Sequence, residues 1–357
     1  MATLAPAAAA PPAAGRGVRR LPLVLAALLG LLLVSAVLNL MLGAVPVPPG
    51  EVLLSLLPGM AADPGSALVV REIRLPRLVA ALAVGAALAV SGAALQALFR
   101  NPLADPGLLG VSTGAALGAA LWFVAGAGVA AAAAPALTPF LLPLASFLGA
   151  LAAMGLVLAL GSRAGPHATI LMLLLGIGVN ALGGALIGVA TYLSTDTQLR
   201  ALSVWLLGTL AQVEWPVLGM ALAIILASLL ALVRTARRLD LLALGEDSAR
   251  HLGVDVPRRR AALAILTALA VGAAVSLSGI IGFLGLVVPH LLRITLGPGH
   301  GVLLPLAAIA GALFLSLADL AARLVALPAE VPVGIVMALV GAPLFLSVLL
   351  SAWRRIG

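Results

Sequence analysis

At 357 residues, 63% hydrophobic and only 9% charged, the chain carries too little charge for a soluble domain, where about a quarter of residues are charged. Its net charge of +8 comes from arginine alone, since it has no lysine and no cysteine; disulfides, thiolate ligation of metal or haem, and a Gly-Lys-Ser/Thr phosphate loop are excluded. The arginines lie between long apolar runs, so they orient a membrane chain and do not point to nucleic acid.

Residues 1–20, rich in Ala and Pro and ending in RGVRR, read as a disordered cytoplasmic tail. The apolar run that follows, 21–42, is too long for the 7–15-residue core of a signal peptide and reads as an uncleaved span. Crossing about 30 Å of hydrocarbon takes about 20 apolar residues. On that measure ten spans are placed, near 21–42, 74–98, 107–127, 138–161, 168–192, 214–233, 259–278, 282–296, 302–325 and 332–351. The eighth is short and interrupted by Pro289, and Pro102 and Pro106 also read as helix breaks. Between spans five and six, QLRALSVWLLGTL reads as a short helix that does not cross. The fold class is therefore all-α: a single polytopic transmembrane domain over 21–357.

With the N-terminus inside, fifteen arginines fall on the cytoplasmic side and five on the outer side, Arg71, Arg74, Arg77, Arg200 and Arg323. That is the positive-inside asymmetry, with both termini cytoplasmic. The stretch ALAVGAALAVSG at 81–92 returns as ALAVGAAVSLSG at 268–279, with nine of twelve letters kept. The first copy lies in span two and the second in span seven, an odd number of spans later, so the copies run in opposite directions. Two inverted five-helix halves are a plan that many transporters share. Gly85, Ala89 and Gly92 share one helical face, as do Gly272, Ser276 and Gly279; small faces let helices approach closely.

The largest polar island inside this plan, 234–260, holds seven of the arginines and four acids. Within it LLALGEDSARHLG reads as one short helix ending at Gly253, a surface that docks a cytoplasmic partner. No Ser-His-Asp set or paired carboxylates suggest an enzyme. His167, His251, His290 and His300 show no metal-ligand spacing, so no metal site is expected.

RLPRLVAALAVGAALAVSGAALQALFRNPLADPGLLGVSTGAALG, LALGEDSARHLGV, SGIIGFLGLVVPHLLR and the closing AEVPVGIVMALVGAPLFL together resemble the FecCD family of ABC importer permeases, over nearly all of residues 50–350. The resemblance implies a homodimer in the bacterial inner membrane, two cytoplasmic ABC ATPase subunits and a periplasmic binding protein. It implies no cofactor on this chain; ATP and Mg belong to the ATPase. It assigns ATPase coupling to segment 240–253, with Leu244, Gly245, Glu246, Asp247, Ala249, Arg250, His251, Leu252 and Gly253. It assigns Arg74, Arg77 and Arg323 to docking of the binding protein. Internal pairing is the competing reading, because Asp319 sits four residues before Arg323. In similar permeases the fifth and tenth helices and the short helix after the fifth line the pathway, which here offers Asn180, Gly184 and Tyr192. The cargo implied is an iron chelate, with haem ahead of ferric siderophore and cobalamin third. The rival class is an ion-coupled secondary transporter, which ordinarily carries ionisable groups at mid-membrane.

Overall fold

In the computed structural model, residues 14–57, 62–126, 135–297 and 299–353 are described, and all their regular structure is helical. Residues 1–13 of the expected tail, and Arg354 and Arg355, lie outside them. The crossing helices are α1 (Ala14–Met41), α4 (Leu75–Leu98), α5 (Val111–Leu121), α6 (Thr138–Gly161), α7 (Ala168–Leu193), α9 (Trp215–Arg234), α12 (Val256–Ser278), α13 (Leu284–Leu296), α14 (His300–Leu324) and α15 (Val333–Trp353). Between them lie the short helices α2 (Pro49–Leu56), α3 (Pro64–Leu68), α8 (Asp196–Leu206), α10 (Ala236–Ala243) and α11 (Glu246–His251). Each of the ten crossing helices falls on an expected span. Among the described residues, seven helical stretches are long and apolar enough to cross a bilayer, and Val111–Gly126, Leu284–Leu296 and Val333–Ser347 are shorter apolar helices. The first helix starts at Ala14, inside the segment read as tail, because extending a helix that is already nucleated costs little.

Contacts give each helix its direction. Arg77 meets Asp319 and Gly85 lies against Gly311, so α4 and α14 are antiparallel. Ser35 bonds Ser316 and Asn39 bonds Arg323, so α1 and α14 run together. Helix α12 leaves the end where Arg260 meets Glu246 and finishes where Ser278 accepts from the Thr209 amide. That turn lies at the arginine end: Gly208 receives the Gly334 amide, and Trp215 Nε1 donates to the Arg71 carbonyl. The two look-alike dodecamers therefore point opposite ways. The packing carries the same relation, since α4 packs on α14 and its counterpart α12 packs on α6.

Helix α4 is the central post, buried along nearly its whole length. An apolar helix whose faces are all covered belongs in a core. Its small residues make that possible: a Cβ at Gly85 would stand 2.2 Å from the Gly311 carbonyl oxygen, and one at Gly92 would stand 2.1 Å from that of Gly285. Gly272 sits against Phe147 and Ala150 of α6, and Gly279 against the Trp205 carbonyl. Pro289 does not break the eighth span as expected. It sits inside a continuous α13, and the carbonyl it orphans four residues back, that of Gly285, accepts instead from Gln96 Nε2 at 2.9 Å. Pro106 starts a single 3₁₀ turn, and Asp105 caps it through the Gly107 amide. The short helix after span five is α8, opened by a capping box in which Thr195 and Gln198 satisfy each other's backbone amides.

Candidate coupling and docking surfaces

The polar island folds as two helices, not the single one its sequence suggested. Gly245, at φ +116°, turns the chain between α10 and α11, a conformation that residues with a side chain avoid. Glu246 then clamps α11 to the membrane body. Its carboxylate accepts from Thr169 Oγ1 at 2.7 Å, from Arg260 at 2.6 Å and from Arg250 at 3.3 Å. Burial pushes the Glu246 pKa up, but the Thr169 hydroxyl and the charges of Arg260 and Arg250 outweigh it and hold the group below its ordinary value. Arg250 also pairs with Asp247, and His251 Nδ1 lies 2.8 Å from the Asp247 carbonyl. Acids in the first turn and bases in the last suit the helix dipole. Ala249 is buried beneath the helix, while Leu244, Asp247, His251 and Leu252 face outward and Gly253 ends the segment at φ +82°. Two exposed leucines on a pinned acidic and basic surface make a knob that a soluble partner can grip. Asp240 ties α10 to the start of α14 by accepting from the His300 amide at 2.9 Å and lying 2.6 Å from its Nδ1.

At the other end, the three arginines that the resemblance assigns to docking, Arg74, Arg77 and Arg323, are buried and engaged within the chain. Arg77 holds the fully buried Asp319 through Nε and Nη2 at 2.9–3.0 Å, and reaches Glu330 through Nη1 at 2.7 Å. Arg323 lies 3.4 Å from Asp319 and donates to Asn39 Oδ1 and to the Asn39 and Leu42 carbonyls. Arg74 donates to the carbonyls of Leu40 and Val45 at the end of α1. The internal pairing that the spacing of Asp319 and Arg323 allowed is present, as burial requires: a buried charge is tolerated only when it is paired or hydrogen-bonded. Arg71, one turn earlier, is the exposed member of this group, donating to the Ser55 and Leu57 carbonyls.

The three pathway candidates separate. Asn180 is half-buried and occupied, bonding Thr113 and donating to the Gly107 carbonyl at 2.9 Å, so it ties α7 to α5 and the 3₁₀ turn. Gly184 is exposed with open space around it, and Tyr192 is 88% exposed at the end of α7. Ile177, Ala181 and Gly188 continue that uncovered face. Sequence reading missed Gln96, whose amide serves both the Gly285 carbonyl and Arg293. A lone glutamine inside an apolar span was the available signal. It also missed Glu330, which only long-range packing brings to Arg77.

Ten crossing helices in two opposed halves, with a pinned helical knob at one end, define a polytopic membrane transport subunit. The FecCD transport family matches residues 31–351, and the chain belongs to that family. It is 46% identical over 288 residues to the hemin transport system permease protein HmuU of Yersinia pestis, covering 78% of this chain and 82% of that protein. It is 44% identical over 300 residues to the vitamin B12 import system permease protein BtuC of Escherichia coli, covering 84% and 89%. A solved structure of a metal-chelate type ABC transporter in an inward-facing conformation superposes with a TM-score of 0.80 at 33% identity, over 92% of this chain and 99% of that one.

Proposed function

We propose that this chain is the permease of an ABC importer and works as a homodimer in the bacterial inner membrane, both termini cytoplasmic. Two ATPase subunits grip the α10–α11 knob, and a periplasmic binding protein docks on the opposite, arginine-bearing face. The observation that carries this reading is the clamp at Glu246, which joins the knob to the first turns of α7 and α12. A push on the knob passes directly to one helix of each inverted half, the coupling that alternating access needs. On the opposite face, Arg77 and Arg323 stand against Asp319 and Glu330, and Arg74 is held by the Leu40 and Val45 carbonyls. Buried as they are, they act by fixing the shape of the face on which the binding protein docks.

The cargo we propose is an iron chelate, haem ahead of ferric siderophore, with cobalamin as the alternative. The HmuU and BtuC resemblances support haem and cobalamin respectively. An ion-coupled mechanism finds no support in the deepest acid, because Asp319 is enclosed by Arg77 and Arg323 and offers no free carboxylate. Tagged permease purified from its native membrane should carry an ATPase subunit at one copy per permease. Reconstituted with it and the binding protein, it should take up haemin on ATP addition. Purification without any ATPase would overturn the importer reading, and ATP-driven uptake of cobalamin alone would reassign the cargo.

A further inference from the structure

The closing motif AEVPVG, residues 329–334, leads into the tenth span, and its Glu330 has no part in the coupling, docking or pathway assignments. Arg77 divides its guanidinium between two unlike carboxylates. One edge is spent on Asp319, which has no exposure and two arginine neighbours. The remaining Nη1 holds Glu330, whose side chain is 42% exposed. A buried pair of the first kind is held fast by the cost of leaving a charge unpaired, whereas a half-exposed pair is weak and open to exchange with water and competing ions. Glu330 is also the side-chain tether of the segment between α14 and α15. Residues 324–330 are exposed, and among the described residues the segment is otherwise tied back to α14 by the bond from the Val331 amide to the Ala322 carbonyl. Immediately after it α15 begins, packed so closely that a Cβ on Gly334 would lie 2.2 Å from the Leu207 carbonyl oxygen.

We infer that Glu330 is a displaceable internal counter-ion: it occupies Arg77 Nη1 while the arginine face is empty, and an acidic side chain of the docking protein takes its place and frees the 324–332 segment at the foot of α15. The exchange step rests on the docking reading above; the tether does not. Arg77 keeps Asp319 throughout, so the swap leaves the α4–α14 contact intact and exchanges one carboxylate for another at constant charge.

The test uses Glu330→Gln in full-length permease in lipid nanodiscs, without any partner, read by hydrogen–deuterium exchange. Loss of a weak rim pair should speed amide exchange of Val325 and Val331, the hydrogen-bonded amides at the two ends of the segment, roughly fivefold and leave the start of α4 unchanged. Unchanged exchange in that segment would overturn the tether. So would a variant that fails to fold, because an exchangeable rim pair cannot carry the fold. In a second measurement, with the binding protein recovered with the intact transporter, Glu330→Gln should bind several-fold more tightly, its competitor gone. If exchange rises but binding does not tighten, the tether stands and the substitution step falls. If wild type shows no binding on this face at all, the docking reading falls and the tether is untouched.

Discussion

Arg77 and Asp319 sit 242 positions apart in sequence and form the most enclosed ion pair of the arginine face. In Arg77→Ala, Asp319 would keep only Arg323, 3.4 Å away. Stranding a buried carboxylate in this way costs about 3–5 kcal/mol, so the variant should unfold at markedly lower temperature in detergent. The double variant Arg77→Leu with Asp319→Asn should recover most of that loss, and a double variant no more stable than the single one would show that the pair is not the cause. The sequence could offer only the i,i+4 spacing of Asp319 and Arg323; the stronger partner of Asp319 lies on another helix, where spacing says nothing. Glu246 makes the matching case on the coupling face. Its folded pKa lies below the ordinary carboxylate value of about 4.3, so the ionised clamp contributes stability at neutral pH, and this is lost as pH falls through the lowered folded value. Limited proteolysis within 240–253 should therefore accelerate in acid, and Glu246→Gln should show the same sensitivity already at pH 7. Equal cleavage of both proteins at pH 7 would mean the carboxylate is not what pins α11.

At the scale of the helix, α4 was legible as a span and as a small-residue face, but not as the buried centre of the bundle. Hydropathy measures suitability for lipid, and an Ala- and Gly-rich helix suits a protein neighbour equally well. What distinguishes the two is the approach distance, visible only once Gly85 meets Gly311 and Gly92 meets Gly285. Gly85→Val should be disruptive out of proportion to its size, because the clash is with backbone that cannot rotate away. A loss at or beyond the upper end of about 1–3 kcal/mol is expected, read as lower yield and faster trypsin cleavage of the folded protein. Gly184→Val is the control, having open space around it, and should fold normally. If the two behaved alike, close packing would not be what places α4. Helix α13 makes a related point. Its proline looked like an interruption because a local rule counts the lost hydrogen bond, whereas the fold supplies Gln96 from α4 as the replacement donor. The split at Gly245 was hidden for a similar reason: glycine permits both a continued helix and a sharp turn, and the surroundings choose between them.

For the molecule as a whole, the ten spans and their alternation were readable because lipid thickness and arginine asymmetry are constraints on the entire chain. The opposite directions of α4 and α12 follow from contacts at their ends, independently of any charge count. What the contacts alone leave to experiment is which end faces the cytosol, and the absence of cysteine makes that accessible to labelling without background. A single cysteine at Asp247, 89% exposed on the coupling knob, should react with a membrane-impermeant maleimide only after cells are permeabilised. One at Leu327, in the exposed segment before α15, should react in spheroplasts with the membrane intact. Labelling of both from the same side would contradict the alternation of ten crossings. Labelling of Asp247 from outside and Leu327 only from inside would exchange the two docking faces. The ATPase would then have to meet the arginine layer, and the coupling route through Glu246 would lose its driver.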